Sequence, residues 1–111
     1  MRLKVVFYRS DLGSEPVRDW LKALGKPDSI LIGSDIRTVE YGWPVGMPVC
    51  RPLAYGLWEV RTNLDNNRAA RVIFCVDRGV MYLLHGFIKK TRETSLKEIK
   101  LALSRKNKLE V

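Results

Sequence analysis

Gly56-Leu57-Trp58-Glu59-Val60-Arg61 and Arg68-Ala69-Ala70-Arg71-Val72-Ile73-Phe74, with Asn63 to Asn67 between Arg61 and the second run, decide the fold. Both runs carry the β-branched and aromatic residues of strands, and turn-forming Asn and Asp join them. Side chains alternate faces along a strand, so Trp58 and Val60 point into a core while Glu59 and Arg61 point the other way. A hairpin centred on Asn66 sets Arg61 opposite Arg71. Like charges paired across strands weaken a sheet, and such a pair makes sense where an anion lies between them. The other reading has Glu59 neutralising one arginine in a different register.

Outward from this hairpin, Asp77-Arg78-Gly79 is a tight turn joining a strand near 69–76 to one near 80–87. Strands are also expected near 49–52 and 57–62. Upstream, Gly42-Trp43-Pro44-Val45-Gly46-Met47-Pro48 is a turn-rich connection. Before it lie two segments of helical period. The first has Ser14 as N-cap, Glu15 and Pro16 in the first turn, and Val17, Trp20, Leu21 and Leu24 on one face. Gly25 stops it, Pro27 and Asp28 open the second, and Ile32, Ile36 and Val39 line that helix to Gly42. Trp20 reads as a core anchor, and Gly33 as a point where the two helices approach closely. Leu3, Val5 and Phe7 alternate in a first strand over 3–8. Ser95 caps a last helix whose stripe is Leu96, Ile99, Ala102 and Leu103. The expectation is one α+β domain over 1–111: a twisted antiparallel sheet, an N-terminal helical hairpin and a C-terminal helix.

The 111 residues suffice for one core, and the apolar share of 46% is that of a globular chain. No apolar run is long enough to span a membrane or to act as a signal peptide. Cys50 and Cys75 show no metal-type spacing, so a reduced, cytoplasmic protein is expected. The formal charge is +8, and residues 85–111 hold eight Lys/Arg against three Asp/Glu. Positive charge gathered in one segment favours a polyanion, because phosphate contacts release counterions.

His85-Gly86-Phe87-Ile88-Lys89-Lys90-Thr91 sets the one histidine beside two lysines. Cutting RNA by attack of its own 2′-OH needs a proton acceptor, positive charge on the crowded phosphate and a proton for the leaving 5′-oxygen. Histidine titrates in the right range for the proton work, and arginines grip phosphate bidentately. Phe87 has the face to stack on a base. The plainer reading is a strand-end histidine with a solvated basic flank. No phosphate-binding glycine loop, metal-ligand cluster or nucleophile elbow is present in the sequence, and no cofactor is expected.

Taken with Pro16-Val17-Arg18-Asp19-Trp20-Leu21 and Tyr41-Gly42-Trp43-Pro44-Val45-Gly46-Met47-Pro48, the blocks 56–61, 68–74 and 83–91 and the helix from Ser95 resemble the phage-derived, HigB-like branch of the RelE/ParE toxin superfamily. The resemblance implies a metal-independent, ribosome-dependent mRNA endonuclease that works in the ribosomal A site. It also implies a helix-turn-helix, HigA-like antitoxin as partner. Carried over by position, Arg71 matches the family's phosphate-stabilising arginine and Arg61 a second basic position; His85, Lys89 and Lys90 complete the implied catalytic set. Arg51, Arg68, Phe87 and Arg92 are the implied RNA-binding residues. The chain departs from relatives that use a tyrosine near the C-terminus, since Tyr82 is its last. Two other functions share the scaffold: a ParE-like toxin that poisons gyrase, and a non-catalytic phage accessory protein that binds RNA.

Overall fold

The alternating strands assemble into a five-stranded sheet of order β1-β5-β4-β3-β2. In the computed structural model of the chain, which describes residues 1–109, the elements are β1 (Lys4–Phe7), α1 (Pro16–Leu24), α2 (Lys26–Gly42), β2 (Cys50–Pro52), β3 (Trp58–Asn63), β4 (Ala69–Asp77), β5 (Val80–Ile88) and α3 (Leu96–Asn107). The expected strands are therefore all present, each within about two residues of its sequence-derived ends.

The sheet is mixed rather than antiparallel. β2 to β5 form an antiparallel meander, but β1 runs parallel to β5, with Lys4 beside Val80 and Phe7 beside Leu83. Alternation reports which face a side chain takes and says nothing of strand direction. The meander leaves one side of β5 open, and β1 takes that edge. The turn between β4 and β5 is tight because Arg78 and Gly79 both adopt positive φ, at 51° and 79°.

α1 and α2 meet at the single residue Gly25, whose φ of +89° makes the corner, so no hairpin loop separates them. Ser14 is not the cap of α1. Glu15 holds that position, and the Ser14 hydroxyl bonds to that of Ser10 at 2.8 Å. Gly33 is likewise not a close-approach point: a Cβ there would meet nothing within 4 Å. Leu96, 59% exposed, lies outside the α3 stripe.

Both faces of the sheet are covered, which explains why β4 is buried over most of its length. One face carries Val60, Val72, Phe74, Met81 and Leu83 against Val17, Ile32, Ile36 and Val39 of α1 and α2. The other carries Leu57, Ile73, Cys75 and Leu84 against Ala102, with Ile99 and Leu103 beside it. Burying each large side chain contributes about 1.5–3 kcal/mol. Trp20 is the anchor expected of it, packed over Gly86 so closely that any Cβ there would collide with the indole ring.

Candidate active site

A β-bulge assembles the site. Phe74 pairs with Leu83, but the preceding Ile73 pairs with His85, so Leu84 is the extra residue. Strict alternation from Leu83 would turn His85 toward α1. The bulge turns it onto the α3 face instead, the re-aiming for which such irregularities are used. On that face the ladder forms two rows. Arg51, Glu59, Ile73 and His85 lie across strands β2 to β5, and Arg61, Arg71 and Phe87 form the next row. Rows two residues apart are separated by about 7 Å, within reach of long side chains.

Arg61 and Arg71 are direct partners in this register, as the hairpin centre required. Glu59 also neutralises an arginine, so both sequence readings hold in part. Its carboxylate lies 3.7 Å from Arg71 Nε, with the two side chains 1% and 5% exposed. The Thr94 hydroxyl donates to Glu59 at 2.5 Å, and Arg71 Nη1 donates to the Ala70 carbonyl at 2.9 Å. Burial pulls the Arg71 guanidinium below its usual range. Arg61 pulls the same way, Glu59 opposes, and Arg51 adds to the lowering. Three guanidinium groups thus share one neighbourhood with a single buried carboxylate. The excess charge is what an anion would neutralise.

His85 is held from both sides. Its Nε2 lies 2.7 Å from Glu98 Oε1 of α3, and its ring stacks on Phe87 at 5.3 Å between centroids. The side chain is 14% exposed. A carboxylate bonded to one ring nitrogen fixes the imidazole's orientation and leaves Nδ1 for other partners.

The remaining sequence-derived residues lie around this centre. Lys89 continues the β5 ladder through its N–H to the Ala69 carbonyl, and with Lys90 and Arg92 it lines a shallow cleft beside Asn67. Lys89 and Lys90 also border a larger groove between Trp20 and the start of α3. Arg68 stands apart at the β3–β4 turn, where Asp28 of α2 receives both its Nη atoms at 2.8 and 2.9 Å. Arg51, Arg61, Arg71, His85 and Phe87 therefore share one face of the sheet, although the cleft that Arg61 and Arg71 line does not include His85, and Lys90, Arg92 and Arg68 lie outside the two rows.

The sequence reading missed Glu98 and Thr94. Both come from the loop and helix after β5 and reach back across the face, a tertiary contact with no local signature. It also missed Asp35 of α2, which joins Arg61, Asn63 and Arg71 in lining a cleft of about 410 Å³. Helical periodicity marked only the buried face of α2.

No curated protein matches the chain. The family model described as phage derived protein Gp49-like matches residues 19–107, which run from within α1 to the end of α3 and include every residue of the two rows. The chain belongs to this Gp49-like family, a phage-derived family of RelE/ParE-like toxin type.

Proposed function

We propose that the protein is the toxin of a type II toxin–antitoxin pair and cuts messenger RNA bound in the ribosomal A site. The observation that carries the reading is the Arg61–Arg71 pair beside a histidine that a bulge turns onto the same face. Membership of a toxin-type family supports it, as does the concentration of positive charge in residues 85–111.

In the proposed step the RNA 2′-OH attacks the adjacent phosphorus. The 2′-O–P bond forms, the P–O5′ bond breaks, and the products end in a 2′,3′-cyclic phosphate and a 5′-hydroxyl. Arg61, half-buried and without a carboxylate partner among the described residues, contacts the phosphate oxygens. Arg71 stands behind it, desolvated, where its charge is least screened. His85 takes the proton from the 2′-OH, a proton passes to the 5′-oxygen as its bond to phosphorus breaks, and Glu98 orients the imidazole. Phe87 walls the histidine on one side, and Lys89 extends the positive surface along the RNA. Arg51 adds to the same field; Arg68, Lys90 and Arg92 give peripheral RNA contacts at most. The guanidiniums supply the charge in this scheme, with no cofactor, and a HigA-like helix-turn-helix antitoxin silences it.

The test is expression of the chain alone, with transcript 5′ ends mapped after induction. Cuts confined to translated frames support the reading. A DNA-damage response with intact transcripts would replace it with gyrase poisoning, and growth unaffected by the chain would remove the toxin reading.

A further inference from the structure

The β2–β3 ladder ends at Cys50 and Val60 with one further bond, from the Arg61 N–H to the Val49 carbonyl at 2.8 Å, so Thr62 and Asn63 have no strand partner on that side. There the chain before β2 and the middle of α2 enclose the cleft of about 410 Å³, lined by Asp35, Met47, Pro48, Val49, Arg61, Asn63 and Arg71. Its walls differ in chemistry. Met47, Pro48 and Val49 are apolar, and Met47 is 60% exposed. The two arginines are cationic, and Arg61 Nη1 lies 3.5 Å from Met47 Sδ. The Asp35 side chain makes no ion pair or hydrogen bond among the described residues, although two arginines line the same cleft.

We infer that this cleft binds guanine, with Asp35 taking the base edge and Arg61 the attached phosphate. The inference rests on the RNA-cutting reading and sharpens it to a nucleotide preference. A carboxylate only accepts hydrogen bonds. Among the four RNA bases, guanine alone sets two donors side by side, N1–H and the N2 amino group, to meet both carboxylate oxygens. Adenine and cytosine place an acceptor next to their amino group, and uracil offers a single N–H. Asn63 supplies an amide whose N–H suits the guanine O6, and the apolar wall at Met47 to Val49 suits the ring faces. The volume admits one nucleotide.

The experiment titrates the full chain with guanosine 3′-monophosphate and, separately, adenosine 3′-monophosphate, following backbone amide shifts by NMR. The guanine nucleotide is expected to bind roughly tenfold or more tightly, with the largest shifts at residues 35, 47 and 63. Asp35→Asn, isosteric and on a half-buried helix position, is expected to bring the two affinities together without altering the fold. Equal affinities in the unmodified chain, or a preference that survives Asp35→Asn, would overturn the inference. Mapped cuts without guanine at a fixed position would also overturn it while leaving the endonuclease reading standing. A guanine preference in a chain that cuts no RNA would keep the site and remove the cleavage reading.

Discussion

Arg61 and Arg71 face each other across the β3–β4 ladder, yet among the described residues only Arg71 is paired with a carboxylate: Glu59 Oε2 lies 3.7 Å from its Nε, while the Arg61 guanidinium reaches Met47 Sδ at 3.5 Å. One arginine is built into the fold and the other is free to act. This asymmetry sets what each substitution should do.

Arg61→Ala removes a half-buried charge that neutralises nothing. Transcript cleavage should fall by about 10²–10³-fold, the usual effect of losing one donor to a developing anion. Stability should change by no more than about 0.5 kcal/mol. Cleavage rates and thermal melts on the same preparation check both.

Glu59→Ala leaves the Arg71 guanidinium buried and uncompensated, at a cost of about 3–5 kcal/mol. The double variant Glu59→Leu with Arg71→Met should recover most of that loss, since well-packed apolar replacements of a buried pair are often neutral. Denaturant unfolding reads the two effects.

His85→Ala and Glu98→Ala are expected each to slow cleavage, by on the order of 10²-fold or more for the histidine. Because Glu98 acts through His85 at 2.7 Å, the double variant should be no slower than His85→Ala alone. Additive losses would show that Glu98 has a separate role.

The two interior glycines predict opposite outcomes. Gly33→Ala should stabilise the protein by about 0.5–1 kcal/mol, since α2 gains propensity and the new methyl meets nothing. Gly86→Ala drives a methyl into the Trp20 ring and should cost about 1–3 kcal/mol or more. Thermal unfolding distinguishes them.

The Asp28–Arg68 pair ties α2 to the β3–β4 turn and carries a pH signature. The hydrogen bond from Arg68 holds the Asp28 carboxyl below its ordinary value, against the opposing effect of burial. A carboxyl depressed by folding stabilises above its unfolded pKa of about 4, and that contribution is lost as pH falls through the folded value. Asp28→Asn should therefore be less stable at neutral pH and lose less stability on acidification. Denaturant midpoints across the acid range test this.

Much of the fold was legible because its signals are local. The Asn66-centred hairpin put Arg61 opposite Arg71, and Arg78-Gly79 marked the next turn. The parallel β1 was not legible, since alternation carries no direction. The bulge was not legible either: Leu83-Leu84-His85 is apolar up to the histidine, and nothing in it reveals the extra residue that sends His85 to the arginine face. Glu98, Thr94 and Asp35 were hidden for a related reason. Each lies on a helix or loop that periodicity describes only by its buried stripe; Glu98 and Thr94 make their contacts to strand residues, and Asp35 lines a cleft with Arg61 and Arg71.

End-group analysis of RNA cut on programmed ribosomes by the purified chain tests the account most directly. Gripping a phosphate while its neighbouring 2′-hydroxyl attacks predicts upstream fragments ending in a 2′,3′-cyclic phosphate and downstream fragments beginning with a 5′-hydroxyl, both lost with Arg61→Ala. Downstream fragments carrying a 5′-phosphate, or cleavage undiminished in that variant, would contradict it.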